Sequence, residues 1–122
     1  MVEFAKDFAL KNSCVTVITS AIDIVTDGKI AYCVYNGDKM MSRITGSGCQ
    51  LSAMMAAYIS ANTDNILKAS LACVCAMGLC GEIAKNRMTD KDGNSSYRNY
   101  LIDAVYNLTP DELEKGARYE IR

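Results

Sequence analysis

The residues best suited to chemistry form a short glycine-containing segment in the middle of the chain. It reads Thr45-Gly46-Ser47-Gly48-Cys49 and precedes an apolar helical pattern. Glycines can adopt the backbone angles that turn successive N–H groups toward one point, and a following helix adds unpaired N–H groups and the positive end of its dipole. The segment therefore predicts an anion site that suits a phosphoryl group, although turns of small residues before helices also occur for structural reasons alone.

Cys49 stands where this segment meets the helical pattern. The positive end of a helix dipole favours the thiolate form of a cysteine, and a thiolate could orient an attacking hydroxyl or accept its proton. The structural alternative is a small apolar residue that fills the first turn of the helix. The residue pattern alone leaves both interpretations open.

The composition excludes several classes of site. The 122 residues are 50% hydrophobic, carry 13 basic and 14 acidic side chains, and include no histidine. The lack of an imidazole excludes Ser-His-Asp and Cys-His nucleophiles and His-ligated zinc. Because the net charge is -1 and there is no basic run, we expect no binding to nucleic acid or to an anionic membrane. The length fits a single unit, residues 1–122, with no internal domain boundary.

The amino terminus and the cysteine content indicate the compartment. The chain is charged from Glu3 onward and lacks the pattern of a signal peptide, so its six cysteines favour a reducing, cytoplasmic location over a disulfide framework. The longest strongly apolar run, 69–81, is too short to span a membrane and predicts a buried core helix.

The cysteines outside the glycine segment are predicted to be core residues. Residues two apart on a helix face different directions, and no fourth ligand has the usual spacing, so we expect core packing rather than a metal site in the run 69–81. Two further cysteines lie in strand patterns and are predicted to be buried. The helical cysteines are Cys73, Cys75 and Cys80, and the strand cysteines are Cys14 and Cys33.

Local patterns predict a helix, a strand and a hairpin in the first part of the chain. Apolar residues in 4–9 repeat at helical spacing, and the β-branched run 15–19 predicts a strand. Residues 22–35 alternate around Asp27-Gly28, and an Asp-Gly pair between such runs is a strong short-range signal of a β-hairpin.

A second turn precedes the glycine segment. Asn36-Gly37 predicts this turn, and residues 40–44 are predicted as a strand that leads into the glycines. Residues 51–59 carry apolar side chains at the spacing of an amphipathic helix. The glycine segment is therefore expected between a strand and a helix.

The second half of the chain is predicted to be mainly helical. Asp64 is expected to cap an apolar helix that ends near Lys85. The polar loop 91–96 is expected to end in a cap, with the next helix beginning at Tyr97.

The last predicted helix carries a stronger signal. Thr109 at the cap, Pro110 at the first helical position and Glu112 at the third form a capping box. Residues 117–121 are predicted as a short strand. These elements together indicate an α/β unit.

Four stretches of the chain resemble the hydroxyethylthiazole kinase family. The Gly-Ser-Gly-Cys element alone is also similar to phosphomethylpyrimidine and pyridoxal kinases, whereas the Val-Thr-Asp-Gly and Asn-Gly-x-x-Met-Met elements point to the thiazole enzymes. The resemblance extends over nearly the whole chain. The four stretches are 19–28 (TSAIDIVTDG), 36–41 (NGDKMM), 44–53 (ITGSGCQLSA) and 78–84 (GLCGEIA).

The resemblance implies the carboxyl-terminal half of a ribokinase-like α/β fold, with a partial sheet, a β-hairpin and packed helices. It also implies ATP and Mg²⁺, and transfer of the γ-phosphoryl group to the hydroxyl of 4-methyl-5-(2-hydroxyethyl)thiazole in thiamine salvage. By the same resemblance, Gly46, Ser47 and Gly48 correspond to the anion hole and Cys49 to the catalytic cysteine. Gly46 also matches a glycine that contacts the substrate.

The first departure from the family lies in the expected nucleotide site. By resemblance, Thr19 matches a threonine that contacts ATP. Asp23 matches a family aspartate and is also assigned to ATP binding, with a purely structural role in a turn or hairpin as the alternative. Between Thr19 and Asp23, Ser20-Ala21 replaces the usual Gly-Glu. We expect the missing acidic side chain to alter nucleotide or metal contacts, and no residue of this chain is assigned as a metal ligand.

The second departure is length, since the resemblance covers only the carboxyl-terminal half of a family enzyme. The other half carries most of the thiazole pocket and the acidic motif associated with magnesium. We therefore expect the chain to be inactive alone and to associate with the missing amino-terminal half or a second chain. The trimeric family implies a homo-oligomer. Two alternatives remain open: a non-catalytic module that binds a partner chain, and a sibling kinase acting on a pyrimidine or pyridoxal alcohol.

Overall fold

Residues 1–122 are described by a computed structural model with five α-helices and four β-strands. The predicted α/β class is confirmed, because helices pack on a partial sheet that contains a hairpin. In chain order the elements are α1 (Val2–Asn12), β1 (Thr16–Ile18), β2 (Asp23–Thr26), β3 (Ala31–Val34), a 3₁₀ helix (Lys39–Arg43), α2 (Ser47–Ala61), α3 (Ile66–Arg87), α4 (Asn94–Asn107), α5 (Pro110–Gly116) and β4 (Tyr119–Ile121).

The strands form one antiparallel sheet in the order β1-β2-β3-β4. The hairpin predicted at Asp27-Gly28 joins β2 to β3, with Thr26 opposite Ala31. Gly28 has a φ of 94°, which favours glycine, and the Asp27 carboxylate accepts hydrogen bonds from two following N–H groups. The predicted carboxyl-terminal strand is present as β4 and pairs with β3.

Helices cover both faces of the sheet. On one face, α1 packs on β1 and β2 through Ala5 and Ala9, which are fully buried. On the other face, α3 packs on Val25, Tyr32 and Val34. Successive strand residues point to opposite faces, so all four residues of β3 are buried.

Helix α3 is the centre of the molecule, and the prediction of a buried core helix is confirmed. It contacts β2 and β3 on one side and packs against α2, α4 and α5 elsewhere on its surface. Helix α3 has 22 residues, and an 18-residue segment of it has a mean hydropathy of 1.7, so it is the one helix long and apolar enough to cross a membrane. However, 67% of that segment is buried inside the chain. These are the properties of a core helix in a folded domain.

The α3 cysteines belong to this core, as predicted. Burial raises the pKa of Cys73 to about 12, of Cys75 to about 11 and of Cys80 to about 11, so these thiols stay protonated and act as apolar filler. Cys33 in β3 is also buried. The prediction that Cys14 is buried is wrong, because Cys14 lies exposed in the turn between α1 and β1.

The strand predicted before the glycine segment is absent, and Lys39–Arg43 forms a 3₁₀ helix instead. The Asp38 carboxylate starts this helix by accepting a hydrogen bond from the Met40 N–H at 2.8 Å, and the Ser42 hydroxyl donates to the Lys39 carbonyl. No strand pairs with this segment, so its backbone groups are satisfied locally. The glycine segment therefore joins a 3₁₀ helix to α2.

Two predicted helix starts differ from the structure. Asn65 rather than Asp64 caps α3, because the Asn65 side chain accepts a hydrogen bond from the Lys68 N–H at 3.2 Å. Helix α4 begins at Asn94 rather than Tyr97, so the second half of the predicted polar loop forms its first turn.

The predicted capping box of α5 is present. The Thr109 hydroxyl accepts a hydrogen bond from the Glu112 N–H at 3.3 Å, and the Glu112 carboxylate accepts one from the Thr109 N–H at 2.9 Å. Pro110 occupies the first helical position, where no N–H partner is needed.

Candidate functional site

The glycine segment starts α2 and leaves its first N–H groups free. Gly46 is the N-cap with a φ of 97°, a left-handed angle that favours glycine. The N–H groups of Ser47, Gly48 and Cys49 have no acceptor within the chain, as is usual in the first turn of a helix. A Cβ added at Gly46 or Gly48 would meet no atom within 4 Å. An anion therefore has room to approach these N–H groups.

The start of α2 forms one side of a cleft of about 580 Å³, a volume suited to a small ligand. Ser47 and Gly48 line this cleft, and so do Thr19 and Asp23 from the β1–β2 connection. Further walls come from residues 35–42 and from α3. The fold thus brings together four predicted site residues that are up to 29 positions apart in the sequence.

Asp23 lies half-buried at the start of β2. Burial raises the pKa of its carboxyl, and a hydrogen bond from the Ser20 N–H at 2.8 Å opposes that rise. The Ser20 hydroxyl also donates to the Ile22 carbonyl at 2.7 Å, which closes a tight turn. Ser20 and Ala21 both line the cleft, so the departure from the family's Gly-Glu pair lies within the candidate site.

The structure does not place Gly46 and Cys49 among the residues that line the cleft, although both adjoin residues that do. The Cys49 thiol is exposed and makes no hydrogen bond within the chain. An exposed cysteine in a first turn does not fill the core, so the structure does not favour the filler interpretation of Cys49.

The charges that line the cleft are two carboxylates, Asp23 and Asp38, and one ammonium group, Lys39. This balance does not attract a highly charged anion. No three His, Cys, Asp or Glu side chains lie close enough together to hold a metal ion. Phosphate binding here would depend on backbone N–H groups and on a cation brought by the ligand.

Sequence reasoning missed an ionic network behind the cleft wall. Glu82 of α3 accepts hydrogen bonds from the Gly37 N–H at 2.7 Å and from the Asn36 amide at 3.2 Å, and pairs with two nitrogens of Arg118 at 2.7 and 3.0 Å. Burial by itself raises the pKa of Glu82, but the hydrogen bonds from Arg118, Gly37 and Asn36 outweigh it and hold the pKa below its usual value. Glu82 is therefore ionised at neutral pH.

A signal for this network was present in the sequence. Two glycines, Gly78 and Gly81, lie within the turn that precedes Glu82 in an otherwise apolar helix, where glycine is unfavourable. A Cβ at Gly78 would lie 2.7 Å from Asn36, and one at Gly81 would overlap the side chain of Met41. The glycines let residues 36–41 lie directly against α3.

A larger and more open groove, of about 870 Å³, lies between β4 and helices α3 and α5. Its lining is mostly apolar, and none of the predicted site residues contributes to it. The candidate site is therefore the smaller cleft, where the free N–H groups of α2 meet the β1–β2 connection.

Two relatives are hydroxyethylthiazole kinases of clostridia. The chain is 59% identical over 120 residues to the enzyme of Clostridium acetobutylicum, covering 98% of this chain and 44% of that protein. It is 34% identical over 117 residues to hydroxyethylthiazole kinase 2 of Clostridium botulinum, covering 96% of this chain and 42% of that protein. The chain thus spans somewhat less than half the length of these relatives.

The fold has a counterpart in hydroxyethylthiazole kinase from Pyrococcus horikoshii OT3. The match has a TM-score of 0.89 at 24% sequence identity and covers 99% of this chain and 46% of that one. The hydroxyethylthiazole kinase family matches residues 1–111 of the sequence. Since this match covers most of the sequence, the chain belongs to the hydroxyethylthiazole kinase family.

Proposed function

We propose that this chain forms part of an ATP-dependent kinase that phosphorylates the hydroxyl group of 4-methyl-5-(2-hydroxyethyl)thiazole in thiamine salvage. The observation that carries the proposal is the cleft, in which the free N–H groups of Ser47 and Gly48 share one cavity with Thr19 and Asp23. The names of the clostridial relatives support the thiazole alcohol over a pyrimidine or pyridoxal alcohol.

In the proposed reaction, the N–H groups that follow Gly46 hold the transferring phosphoryl group. The substrate hydroxyl oxygen forms a bond to the γ-phosphorus, and the bond from that phosphorus to the bridging oxygen of ADP breaks. Cys49 orients the hydroxyl and accepts its proton, so the products are ADP and a phosphate ester. Phosphoryl transfer depends mainly on positioning and charge neutralisation, and a weak base therefore suffices.

In this proposal magnesium binds as its complex with ATP. The two carboxylates of the cleft disfavour free ATP, whereas the magnesium complex carries less negative charge. The ion would neutralise charge on the phosphates. Because the chain offers no cluster of metal ligands, the ion would take most of its ligands from phosphate oxygens and water.

We also propose that activity requires protein surface beyond this unit of residues 1–122. The accessible surface is 7402 Å², about 15% above the roughly 6,500 Å² expected for a compact protein of 13.3 kDa. Phe4 and Phe8 of α1 are 67% and 47% exposed. A complementary segment or chain, within a homo-oligomer, would cover these groups. We place the assembly in the cytoplasm, where six free cysteines stay reduced.

The test is to co-express this chain with the part of the Clostridium acetobutylicum relative that it does not match. Transfer of radiolabelled γ-phosphate from ATP is then measured with the hydroxyethylthiazole, a hydroxymethylpyrimidine and pyridoxal as acceptors. We expect transfer to the thiazole by the co-purified assembly and none by either part alone. A stable assembly that binds no ATP and phosphorylates no acceptor would refute the kinase proposal in favour of a non-catalytic binding module.

A further inference from the structure

We propose that Glu82 is a positioning residue for the candidate cleft: it holds residues 36–41, here termed the rim loop, against α3 and thereby sets nucleotide affinity. The inference about affinity rests on the proposed nucleotide function of the cleft. Glu82 itself does not line the cleft, whereas five of the six rim-loop residues do. Its influence therefore passes through the rim loop.

The rim loop meets α3 at two kinds of contact. The first is polar: the Glu82 carboxylate accepts hydrogen bonds from the Gly37 N–H and the Asn36 amide. The second is steric, because Gly78 and Gly81 leave space into which Asn36 and Met41 pack. Asn36 is only 6% exposed, so its buried amide group needs hydrogen-bond partners such as the Glu82 carboxylate.

The rim loop in turn reaches the start of α2. The Asp38 carboxylate caps the 3₁₀ helix at the Met40 N–H, and the Ser47 hydroxyl lies 3.5 Å from the Met41 carbonyl oxygen. A shift at Gly37 would therefore change the distance between the rim loop and Ser47. The rim loop thus connects Glu82, which binds the Gly37 N–H, to Ser47, which carries one of the proposed phosphate-binding N–H groups.

Arg118 completes the arrangement by keeping Glu82 charged. The Glu82 side chain is 21% exposed, and a partly buried carboxylate of this kind is stable when it is paired and hydrogen-bonded. Both oxygens of Glu82 bind the guanidinium of Arg118. Hydrogen bonds to a charged acceptor are stronger than neutral ones, which suits the task of holding a loop in one position.

The experiment uses the full-length gene product. It compares the variants Glu82→Ala and Glu82→Gln with a matched control variant. The control is Asp103→Asn, which removes the exposed ion pair, at 2.9 Å, between Asp103 of α4 and Arg87 of α3, the helix that also carries Glu82. Three quantities are measured: the dissociation constant for ATP with Mg²⁺ by calorimetry, the exchange rate of the Gly37 N–H, and the thermal midpoint.

We expect Glu82→Ala to weaken ATP binding about tenfold and to speed Gly37 exchange by a similar factor, because a hydrogen bond to a charged acceptor is lost. Glu82→Gln keeps an oxygen that can accept from Gly37, so its effects should be smaller. Asp103→Asn should leave both the dissociation constant and the exchange rate unchanged.

A lower thermal midpoint with unchanged ATP affinity and unchanged Gly37 exchange in both Glu82 variants would overturn the proposal and leave Glu82 a purely structural residue. Absence of ATP binding by the unmodified protein would refute the proposed function and, with it, the effect on affinity. In that case the Gly37 exchange rate still shows whether Glu82 holds the rim loop.

Discussion

An alanine at Gly78 tests how tightly the rim loop packs against α3. The added Cβ would lie 2.7 Å from three atoms of Asn36, two of them in the backbone, whereas carbon atoms in contact normally lie about 3.5–4.0 Å apart. Asn36 cannot retreat freely, because its side chain donates to the Gly116 carbonyl at 2.9 Å and accepts from the Arg118 N–H at 2.8 Å. The substitution therefore forces either a backbone shift or the loss of these bonds.

The expected destabilisation follows from two opposing contributions. Overpacking usually destabilises a protein by about 1–3 kcal/mol, and because the added Cβ meets backbone atoms we expect a cost at the upper end, about 3 kcal/mol. Alanine recovers about 1 kcal/mol of helix propensity relative to glycine. The net loss in the free energy of unfolding is about 2 kcal/mol, which lowers the thermal midpoint of a domain of this size by roughly 6–10 °C.

The assay is thermal unfolding followed by circular dichroism, with Gly48→Ala as the matched control. Gly48 is also helical, but a Cβ there meets no atom within 4 Å, so its midpoint should stay the same or rise. If Gly78→Ala raised the midpoint as much as Gly48→Ala, the rim loop would give way without cost and the argument for close packing would be wrong.

Three further predictions concern single side chains. Cys49→Ala should reduce phosphoryl transfer strongly while leaving the thermal midpoint within about 1 °C, because the side chain is exposed; equal turnover in both proteins would remove Cys49 from the mechanism. Burial raises the pKa of the Asp23 carboxyl, so the folded state favours the protonated form. The protonated carboxyl therefore stabilises the fold at low pH, and this stabilisation is lost as the pH rises through the folded-state pKa. Asp23→Asn should raise the thermal midpoint at neutral pH, leave it unchanged below about pH 4, and weaken ATP binding; a midpoint that is still higher than that of the unmodified protein at low pH would contradict this reasoning. Thr109→Ala should cost about 1 kcal/mol in urea unfolding, because it removes one half of the capping box; an unchanged urea midpoint would show that α5 does not depend on its cap.

Features that depend on a few adjacent residues could be predicted from the sequence. The Asp27-Gly28 turn and the Thr109–Glu112 capping box each involve partners within four positions, and both are present in the structure. The resemblance to the family then assigned Thr19, Asp23 and the glycine segment to the site of one kinase reaction. Local periodicity gave no reason to place these residues in one cleft.

Features that depend on tertiary neighbours could not be predicted. Residues 40–44 have the composition of a strand, but no strand lies beside them, and the Asp38 carboxylate starts a 3₁₀ helix instead. The helical pattern of α1 was correct, yet the sheet buries Ala5 and Ala9 and leaves Phe4 exposed, since small residues allow the closest approach. Glu82 meets Asn36 across 46 positions, a distance at which no local pattern carries information.

The side chain of Asn36 also determines when the cleft can be completed during synthesis. Its partners Gly116 and Arg118 lie 80 and 82 residues further along the chain. Contacts between distant residues close long loops and tend to form late. The hairpin and α3 can assemble as soon as they emerge from the ribosome, but one wall of the cleft stays unsupported until the chain has been made as far as Arg118. A ligand that binds only the finished cleft would then stabilise chains that have passed this point, so that binding acts as a late check on folding.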